Sequence, residues 1–245
     1  MSFDYTQYTL RRVWERSSKS STRVAMGLLD AFIKFDNPGA FPHNVYNEIV
    51  ALRLGQKLGI PLADGAIVNS QSGPAYASLA ICKSGVELPD LMTYWFGLCA
   101  ERYPDEAAAL AVFDIWIGNF DRERNIKVNL VPKDVKVFRA FDHSHCLLGI
   151  ATTREEALRR LSTPDIIVVT HPFYGHLSKQ LVQRWIARFE GLQAALIDES
   201  CSHAPLSRTV SPGTQKKLAH ALKARRRVLA EIVETESLRI FGAKP

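Results

Sequence analysis

Short apolar runs separated by polar turns fill the first part of the chain. Three of them have the length and composition of β-strands, and they lie at residues 31–35, 66–68 and 76–82. A Gly-Pro turn separates the last two, and a serine-rich segment of loop composition at residues 17–22 precedes the first. This pattern predicts a small β-rich lobe over about residues 1–85.

One segment of this lobe has the periodicity of an amphipathic helix. Val45, Ile49 and Leu52 fall on one face, and a glycine and a proline shortly after Leu58 end the pattern. We therefore predict a single helix in this lobe, over about residues 44–58.

From about residue 86 the pattern becomes mainly helical. Leu110, Phe113 and Ile117 recur at helical spacing inside a strongly apolar run, which predicts a helix over about residues 105–118 that is buried in the centre of a second lobe. Residues 200–212 are expected to form an exposed loop. Three further helices are predicted near residues 153–161, 178–198 and 211–240, and the pattern of the last allows an interruption.

A β-hairpin is predicted directly after the buried helix. Ile126 and Val128 alternate with polar residues, a turn is expected at residues 132–134, and the chain returns to Phe141. Together these elements predict an α+β fold of two lobes. The N-terminal lobe is small, β-rich and has one helix, whereas the C-terminal lobe, over about residues 86–245, is mainly helical.

The composition is that of an ordinary one-domain globular protein, since 47% of its 245 residues are hydrophobic and 23% are charged. No apolar run has the length of a membrane span or the placement of a secretory signal. The four cysteines, at 82, 99, 146 and 201, lack the spacing of zinc or redox motifs. We therefore expect a soluble, cytoplasmic protein with free thiols and no membrane partner.

The net charge of +6 at pH 7 is partly local, because lysines and arginines crowd residues 216–227. A basic balance favours anionic partners such as nucleotides, nucleic acid or acidic proteins. In this segment the helical pattern turns Leu218 and Leu222 towards a core and the basic side chains outwards, so we expect a solvated helix face. A binding surface for RNA or an acidic protein is the alternative, although aromatic residues that would stack on single strands are absent there.

Lys34 lies in the middle of an apolar strand, where an ammonium group is costly to bury without a partner. Glu48 lies on or near the apolar face of the following helix, where a carboxylate also needs one. The two side chains would satisfy each other, and a strand lysine followed by a helix glutamate matches the ion pair with which kinases hold nucleotide phosphates. The alternative is that Lys34 extends to water while Glu48 lies at the edge of the buried face.

A second group of polar residues surrounds the predicted hairpin. Asp121 follows the buried helix in a polar loop, Asn125 comes four residues later, and Asp142 ends the return strand. The hairpin should bring Asn125 and Asp142 together, and their oxygens suit Mg²⁺. We predict that these two residues ligate the metal and that Asp121 orients or deprotonates an acceptor hydroxyl, which makes the chain a phosphotransferase. The alternative is a solvated, charged turn.

The serine-rich segment before the lysine strand is a candidate phosphate-binding loop. It contains no glycine, but the hydroxyls of Ser18, Ser20 and Ser21 and successive backbone N–H groups could cradle phosphates. An ordinary surface loop is the alternative.

Two histidines, His143 and His145, flank Ser144 just after Asp142. Such spacing occurs in zinc sites, but without a third ligand in the sequence pattern we favour local structural hydrogen bonding. A catalytic triad built on Ser144 is weaker still, because the glycines of a nucleophile elbow are missing.

These residues resemble the HipA-like kinases, in particular the short bacterial members of that family. The resemblance runs over most of the chain. It includes residues 32–35 (Phe-Ile-Lys-Phe), 47–52 (Asn-Glu-Ile-Val-Ala-Leu), 58–61 (Leu-Gly-Ile-Pro), 116–122 (Trp-Ile-Gly-Asn-Phe-Asp-Arg), 141–143 (Phe-Asp-His) and 222–229 (Leu-Lys-Ala-Arg-Arg-Arg-Val-Leu).

The resemblance implies a bilobal protein-kinase-like fold, ATP and Mg²⁺ as cofactors, and phosphorylation of serine or threonine on a protein substrate. By position, Lys34 would bind phosphates with Glu48 as its partner, Asp121 would be the catalytic aspartate, and Asn125 and Asp142 would bind metal. The resemblance also implies a regulatory partner protein and autophosphorylation in the loop of residues 17–22.

One spacing departs from the family pattern, because Asn125 lies four residues after Asp121 where the family usually has five. This contraction motivates an alternative of a different class, a nucleotide-binding pseudokinase that acts as a regulatory or interaction module.

Overall fold

The protein is described here by a computed structural model, which covers residues 8, 10–15, 25–40, 42–83, 86–131, 134–203 and 209–242. The predicted phosphate-binding serines, Ser18, Ser20 and Ser21, lie outside the described residues. The strands are β1 (Leu10–Glu15), β2 (Ala25–Leu29), β3 (Ala31–Lys34), β4 (Gly65–Ser70), β5 (Gly73–Leu79), β6 (Cys82–Lys83), β7 (Val86–Glu87), β8 (Ile126–Val131) and β9 (Asp134–Ala140). The α-helices are α1 (Asn44–Leu58), α2 (Phe96–Arg102), α3 (Pro104–Ile117), α4 (Arg154–Leu161), α5 (Lys179–Glu190), α6 (Ala194–Cys201), α7 (Pro212–Arg227), α8 (Leu229–Thr235) and α9 (Ser237–Phe241).

The strands of the N-terminal part pair in antiparallel fashion. One sheet has the order β3-β5-β4, and β1 pairs with β2 as a separate hairpin. Lys34, at the end of β3, lies opposite Tyr76 on the central strand β5. Helix α1 packs against β4 and β5, so the strand that carries Lys34 and the helix that carries Glu48 belong to one packed unit.

Helix α1 has the bounds that the sequence predicted. Val45, Ile49 and Leu52 are buried as expected from their spacing. The helix ends at Gly59, whose φ of 74° lies in the left-handed region that glycine adopts without steric cost.

Helix α3 is the buried helix predicted for the centre of the C-terminal part. Every residue from Ala107 to Ile117 is buried, as expected for a helix that is apolar on all sides. The indole Nε1 of Trp116 donates to the carbonyl oxygen of Leu222 on α7 at 3.0 Å. The helix ends at Gly118, again with a left-handed φ of 72°, and the polar loop that contains Asp121 begins there.

The hairpin β8–β9 is hydrogen-bonded at its base to two other segments. Ala140 donates to the carbonyl oxygen of Pro61 and accepts from the N–H of Ala63, both at 2.8 Å. On the other strand, Ile126 accepts from the N–H of Leu91 at 2.8 Å. The strand ends next to Asn125 and Asp142 are therefore fixed to the rest of the fold by backbone hydrogen bonds.

Three predicted elements differ from the structure. The exposed loop expected over residues 200–212 begins later, because Ser200 and Cys201 belong to α6 and are buried. The helix predicted over residues 178–198 is two helices, because the chain leaves α5 at Gly191 and begins α6 at Ala194. The strand predicted over residues 76–82 begins earlier and ends at Leu79, since the next residue, Ala80, donates its N–H to Asp30 O instead. The interruption allowed near the C-terminus is present, because α7, α8 and α9 are separate helices.

The expectation that all basic residues of α7 face outwards is wrong for Arg225. Leu218 and Leu222 are buried as predicted, but Arg225 is buried with them. Its guanidinium donates to backbone carbonyl oxygens of Ile115 (2.9 Å), Arg160 (3.3 Å), Thr163 (3.1 Å) and Asp165 (3.1 Å). Burial lowers the pKa of Arg225 to about 10, which leaves the group charged at neutral pH. The side chain ties α7 to α3 and to the end of α4.

Replacing Arg225 by Met should lower the free energy of unfolding by about 3 kcal/mol, because several buried carbonyl groups lose their donor while the new side chain keeps similar bulk. Urea unfolding monitored by circular dichroism would measure the change. Arg227→Met is the matched control, since Arg227 is exposed on the same helix, and we expect it to change stability by less than about 0.5 kcal/mol. Equal effects of the two variants would contradict the structural role of Arg225.

His203 should make the protein less stable in mild acid. The residue is buried, and burial together with the charge of Arg53 lowers its pKa to about 4. A histidine whose pKa is lower in the folded state stabilises the fold fully above its unfolded pKa of about 6.5. That contribution, roughly 2–3 kcal/mol, is lost as the pH falls through the folded pKa.

We therefore expect the urea midpoint to fall between pH 6.5 and pH 4, and to fall less in His203→Gln. His176→Gln, at an exposed histidine, should follow the wild type. If His203→Gln also followed the wild type, His203 would not be the source of the acid sensitivity.

The predicted α+β class is confirmed, with small antiparallel sheets towards the N-terminus and a mainly helical remainder. The boundary between two lobes near residues 85 and 86 stays a prediction. All four cysteines are buried and carry free thiols. Within the part of the chain that the structure describes, none of the helices combines the length and apolar character needed to cross a bilayer.

Candidate active site

The expected ion pair between Lys34 and Glu48 is present. Lys34 Nζ lies 2.6 Å from Glu48 Oε1, and the Glu48 side chain is buried whereas that of Lys34 is partly accessible. Burial alone would raise the pKa of Glu48, but hydrogen bonding from His143 and the charge of Lys34 outweigh burial, so the pKa is lowered. Glu48 is therefore a buried, ionised carboxylate that fixes the ammonium group of the strand lysine.

Glu48 also holds the segment that follows Asp142. The backbone N–H of His143 donates to Glu48 Oε1 at 2.9 Å, and His143 Nδ1 lies 3.2 Å from Oε2. On the same helix, Asn47 Nδ2 donates to the carbonyl oxygen of Ser144 at 3.3 Å. Helix α1 thus contacts both Lys34 and the Asp142 segment, and His143 has the structural hydrogen bonds that its sequence position suggested.

Asp142 completes a chain of three charges. Its Oδ1 lies 3.0 Å from Lys34 Nζ and accepts hydrogen bonds from the backbone N–H and the hydroxyl of Ser144. Burial opposes ionisation, but the charge of Lys34 and the bonds from Ser144 prevail and lower the pKa of Asp142 to about 2. Its φ of 55° is in the left-handed region, which aspartate tolerates better than most residues.

Asp121 lies in the middle of the loop between α3 and β8, and Asn125 is its last residue. The N–H of Asp121 donates to Asn119 Oδ1 at 3.4 Å, and its carbonyl oxygen accepts from Asn125 Nδ2. The carboxylate of Asp121 is 53% exposed and lies 3.7 Å from His145 Nε2. Because the N–H of Phe141 donates to Asn125 O at 3.0 Å, Asn125 and Asp142 are neighbours, as the hairpin predicted.

A cavity of about 360 Å³ opens beside these groups. Lys34, Asn125 and Asp142 line it, whereas Asp121 does not. Its apolar lining consists of Phe32, Ala63, Leu79, Ile81 and Phe141, and Ser78, Glu87, Asp90, Arg124 and Lys127 complete it. An apolar space with a few convergent charged groups is the usual form of a small-molecule site, and its volume is in the range of such sites.

Lys127 is a charged member of this cavity that sequence reasoning did not single out. Its Nζ lies 2.6 Å from Glu87 Oε1 and 2.9 Å from Asp90 Oδ1, and it lies over the ring of Phe141 at 5.4 Å from the centroid. Burial opposes the charge, but the bonds to Glu87 and Asp90 raise the pKa of Lys127. In the sequence, Lys127 alternates with the apolar residues of β8. This pattern indicated only that Lys127 lies on the polar face of a strand.

Asp114 was also missed, although it lies in the apolar run that predicted α3. Its carboxylate is fully buried and accepts from Arg122 Nε at 2.8 Å and Nη2 at 3.0 Å. His171 Nε2 lies 3.2 Å away and Asn119 Nδ2 donates at 3.1 Å. Burial opposes ionisation, but the Arg122 charge holds the pKa of Asp114 well below its usual range. A carboxylate inside an apolar helix needs a partner, and this rule would have singled out Asp114 in the sequence.

Arg122 connects its buried ion pair with Asp114 to the backbone of the candidate site. Its Nη1 donates to the carbonyl oxygens of Asn125, at 3.1 Å, and Phe141. One guanidinium therefore contacts the backbone on both sides of the pair Asn125 and Asp142. Sequence reasoning placed Arg122 in a family motif but assigned it no contact.

The residues present suit Mg²⁺ bound together with a nucleotide. Among the described residues, no three His, Cys, Asp or Glu side chains gather as the ligands of a metal ion. Mg²⁺ in phosphotransferases, however, takes one or two protein oxygens and completes its shell with waters and substrate phosphates. The ionised carboxylate of Asp142 and the amide oxygen of Asn125 have the chemistry of such ligands, and the Asn125 oxygen is the atom left for a metal because its amide nitrogen donates to Asp121 O.

No protein-family model and no curated protein matches this sequence. Solved structures do match it. A proinflammatory kinase of Helicobacter pylori, CtkA, superposes with a TM-score of 0.61 at 14% identity, over 96% of this chain and 97% of that one. HipA of Shewanella oneidensis MR-1, in a toxin–antitoxin complex with HipB and operator DNA, superposes with a TM-score of 0.55 at 15% identity, over 96% of this chain and 67% of that one. The predicted HipA-like kinase fold is thereby confirmed.

Proposed function

We propose that this chain, which has the fold of the HipA-like kinases, is an ATP- and Mg²⁺-dependent phosphotransferase that acts on serine or threonine hydroxyls of a protein. The observation that carries the proposal is Lys34, whose ammonium group bridges Glu48 and Asp142 at the edge of a ligand-sized cavity. A kinase needs this constellation to hold phosphates and metal together.

Each residue has a distinct task in this proposal. Lys34, fixed by Glu48, binds phosphate oxygens, while Asn125 and Asp142 offer an amide and a carboxylate oxygen to the metal. Bound Mg²⁺ would neutralise the charge of the phosphates. Asp121, outside the cavity, accepts the proton of the acceptor hydroxyl and orients its oxygen. Most of the acceleration then comes from positioning and electrostatic stabilisation.

A protein acceptor is favoured by the exposure of Asp121, which leaves room for a large substrate at the catalytic carboxylate. The serines of the 17–22 loop remain candidates for autophosphorylation. A regulatory partner protein is supported by the complex in which HipA of Shewanella oneidensis occurs. Nucleic acid is a weaker candidate partner, since one of the basic residues of α7, Arg225, is buried.

The experiment is a pair of measurements with Mg-ATP on the purified protein. Intact mass after incubation should rise by one or more phosphates, and labelled ATP should mark a protein in a lysate. Lys34→Met should abolish both signals and weaken nucleotide binding. Arg12→Met, at an exposed position on β1, is the matched control and should retain them.

The pseudokinase alternative is favoured by one observation, the hydrogen bond of Asn125 to the backbone of Asp121 within the contracted loop. A pseudokinase would bind Mg-ATP, seen as a rise in melting temperature, without adding phosphate to itself or to any lysate protein. That combined result would overturn the kinase proposal and leave nucleotide binding in place.

A further inference from the structure

A second cavity, of about 300 Å³, lies against α1 and shares no lining residue with the first. Its walls come from the first half of α1, the residues just after β3, strand β4, the start of β5 with the turn before it, and residues on either side of the 204–208 segment. They are lined by Phe35, Asp36, Val45, Tyr46, Ile49, Ile67, Ser72, Pro74, His203 and Thr209. The cavity is thus a separate space beside the helix that carries Glu48.

The lining is apolar with one anionic group. Asp36 is the only charged residue among the lining residues that the structure describes. Its two oxygens accept hydrogen bonds from neutral donors, the N–H of Val45 at 2.9 Å and the hydroxyl of Thr209 at 3.0 Å. No described cation forms a salt bridge with it.

The remaining polar lining groups are neutral near pH 7. The lowered pKa of His203 keeps its imidazole uncharged, and its Nε2 lies 3.1 Å from the carbonyl oxygen of Ser200. The hydroxyl of Tyr46 is taken up by a hydrogen bond to the carbonyl oxygen of Cys201 at 2.8 Å. Among the described lining residues, the carboxylate of Asp36 is therefore the only charged group.

We propose that this cavity binds a small organic cation, an amine with a compact aromatic or branched apolar body. The apolar body would contact Val45, Ile49 and Ile67, and the ammonium group would lie at the carboxylate of Asp36. Such a ligand replaces water on apolar walls and supplies the counter-charge that the described neighbours do not. An anion of the same shape would be repelled.

Occupancy of this cavity should act on the candidate active site through α1. Ile49 faces the cavity and is the neighbour of Glu48, which holds Lys34 and His143. A ligand that packs on Ile49 favours the position of α1 in which those bonds form, and a coupling of this kind is reciprocal between the two ligands. This step rests on the proposed function, whereas the binding of the cation does not.

The test uses three ligands of one shape, 2-phenylethylamine, 2-phenylethanol and phenylacetate, titrated into the full chain in a calorimeter at pH 7.5. The amine should bind about ten-fold or more tightly than the alcohol, because its hydrogen bond is charge-assisted, and phenylacetate should not bind. Equal binding of amine and phenylacetate, or no binding of the amine, would overturn the proposal.

Asp36→Asn removes the charge and keeps an oxygen for the N–H of Val45. It should weaken the amine about ten-fold and leave the alcohol unchanged. Glu155→Gln, at an exposed carboxylate on α4, is the matched control and should change the affinity for neither ligand.

Since Asp36→Asn could fail to fold, Ile67→Phe offers a second variant that fills the cavity and should reduce the binding of both the amine and the alcohol. Unchanged amine binding in a folded Asp36→Asn or Ile67→Phe would overturn the site.

The coupling is measured as the affinity for Mg-ATP with and without saturating amine. A several-fold increase in the affinity for Mg-ATP in the presence of amine supports the coupling, and an unchanged affinity overturns it. If Mg-ATP does not bind at all while the amine does, the proposed function fails and the amine site stands.

Discussion

Replacing Asp121 by Asn should lower the rate of phosphate transfer about 10³-fold or more and leave the affinity for Mg-ATP nearly unchanged. The carboxylate is exposed and lies outside the cavity lined by Lys34, Asn125 and Asp142. An asparagine keeps the backbone N–H bonded to Asn119 and the carbonyl oxygen bonded to Asn125. What it loses is the carboxylate that, in the proposed function, accepts the proton of the acceptor hydroxyl.

Single-turnover transfer of labelled phosphate and a separate nucleotide titration would measure the two quantities. Glu123→Gln is the matched control, because Glu123 is an exposed carboxylate of the same loop, and we expect its rate to stay within a few-fold of the wild type. Transfer by Asp121→Asn as fast as the wild type would show that another group positions the acceptor oxygen.

Replacing Asp114 by Asn should lower the free energy of unfolding by about 3–5 kcal/mol, because it leaves the buried guanidinium of Arg122 without its counter-charge. The two side chains are joined at 2.8 and 3.0 Å and neither is exposed to solvent. Arg122 also binds the carbonyl oxygens of Asn125 and Phe141, so the rate of phosphate transfer should fall as well, although Asp114 is buried away from the cavity lining.

The double variant Asp114→Leu/Arg122→Met separates stability from positioning. Removing both charges avoids an unpaired buried ion and should restore part of the stability, but the carbonyl groups beside the candidate site still lack their donor, so the rate should stay low. Urea unfolding and transfer of labelled phosphate would show this. Glu156→Gln, which removes the charge from an exposed pair with Arg159, should leave the urea midpoint nearly unchanged. An equally small change in Asp114→Asn would mean that the buried pair contributes little.

The spacing of apolar residues predicted much of the fold. The free-energy cost of burying an unpaired charge predicted part of the candidate site. The bounds of α1 followed from the spacing of its apolar residues and from Gly59. The contact between Lys34 and Glu48 followed because each charge, placed on an apolar face, required a partner. The closeness of Asn125 and Asp142 followed from hairpin geometry.

Contacts between distant segments could not be predicted in the same way. The carbonyl groups that bind Arg225 lie 60 to 110 residues away in sequence, so its spacing on a polar-looking helix indicated solvent. Asp114 was predictable as a charge in need of a partner, but the choice of Arg122 and His171 depends on how the loop and the segment at residue 171 pack. The break between α5 and α6 coincides with Gly191, a residue type that commonly ends helices.

Glu48 binds Lys34 on one side and the segment of Asp142 on the other. If α1 moved outwards, the carboxylate would lose both sets of donors together, since the ammonium group of Lys34 would keep only Asp142 as a partner and the N–H of His143 would lose its acceptor at the same moment. Partly open arrangements are therefore penalised more than either end state. If the proposed function holds, regulation through α1 should be all-or-none, with Lys34 and Asp142 brought into place in one step.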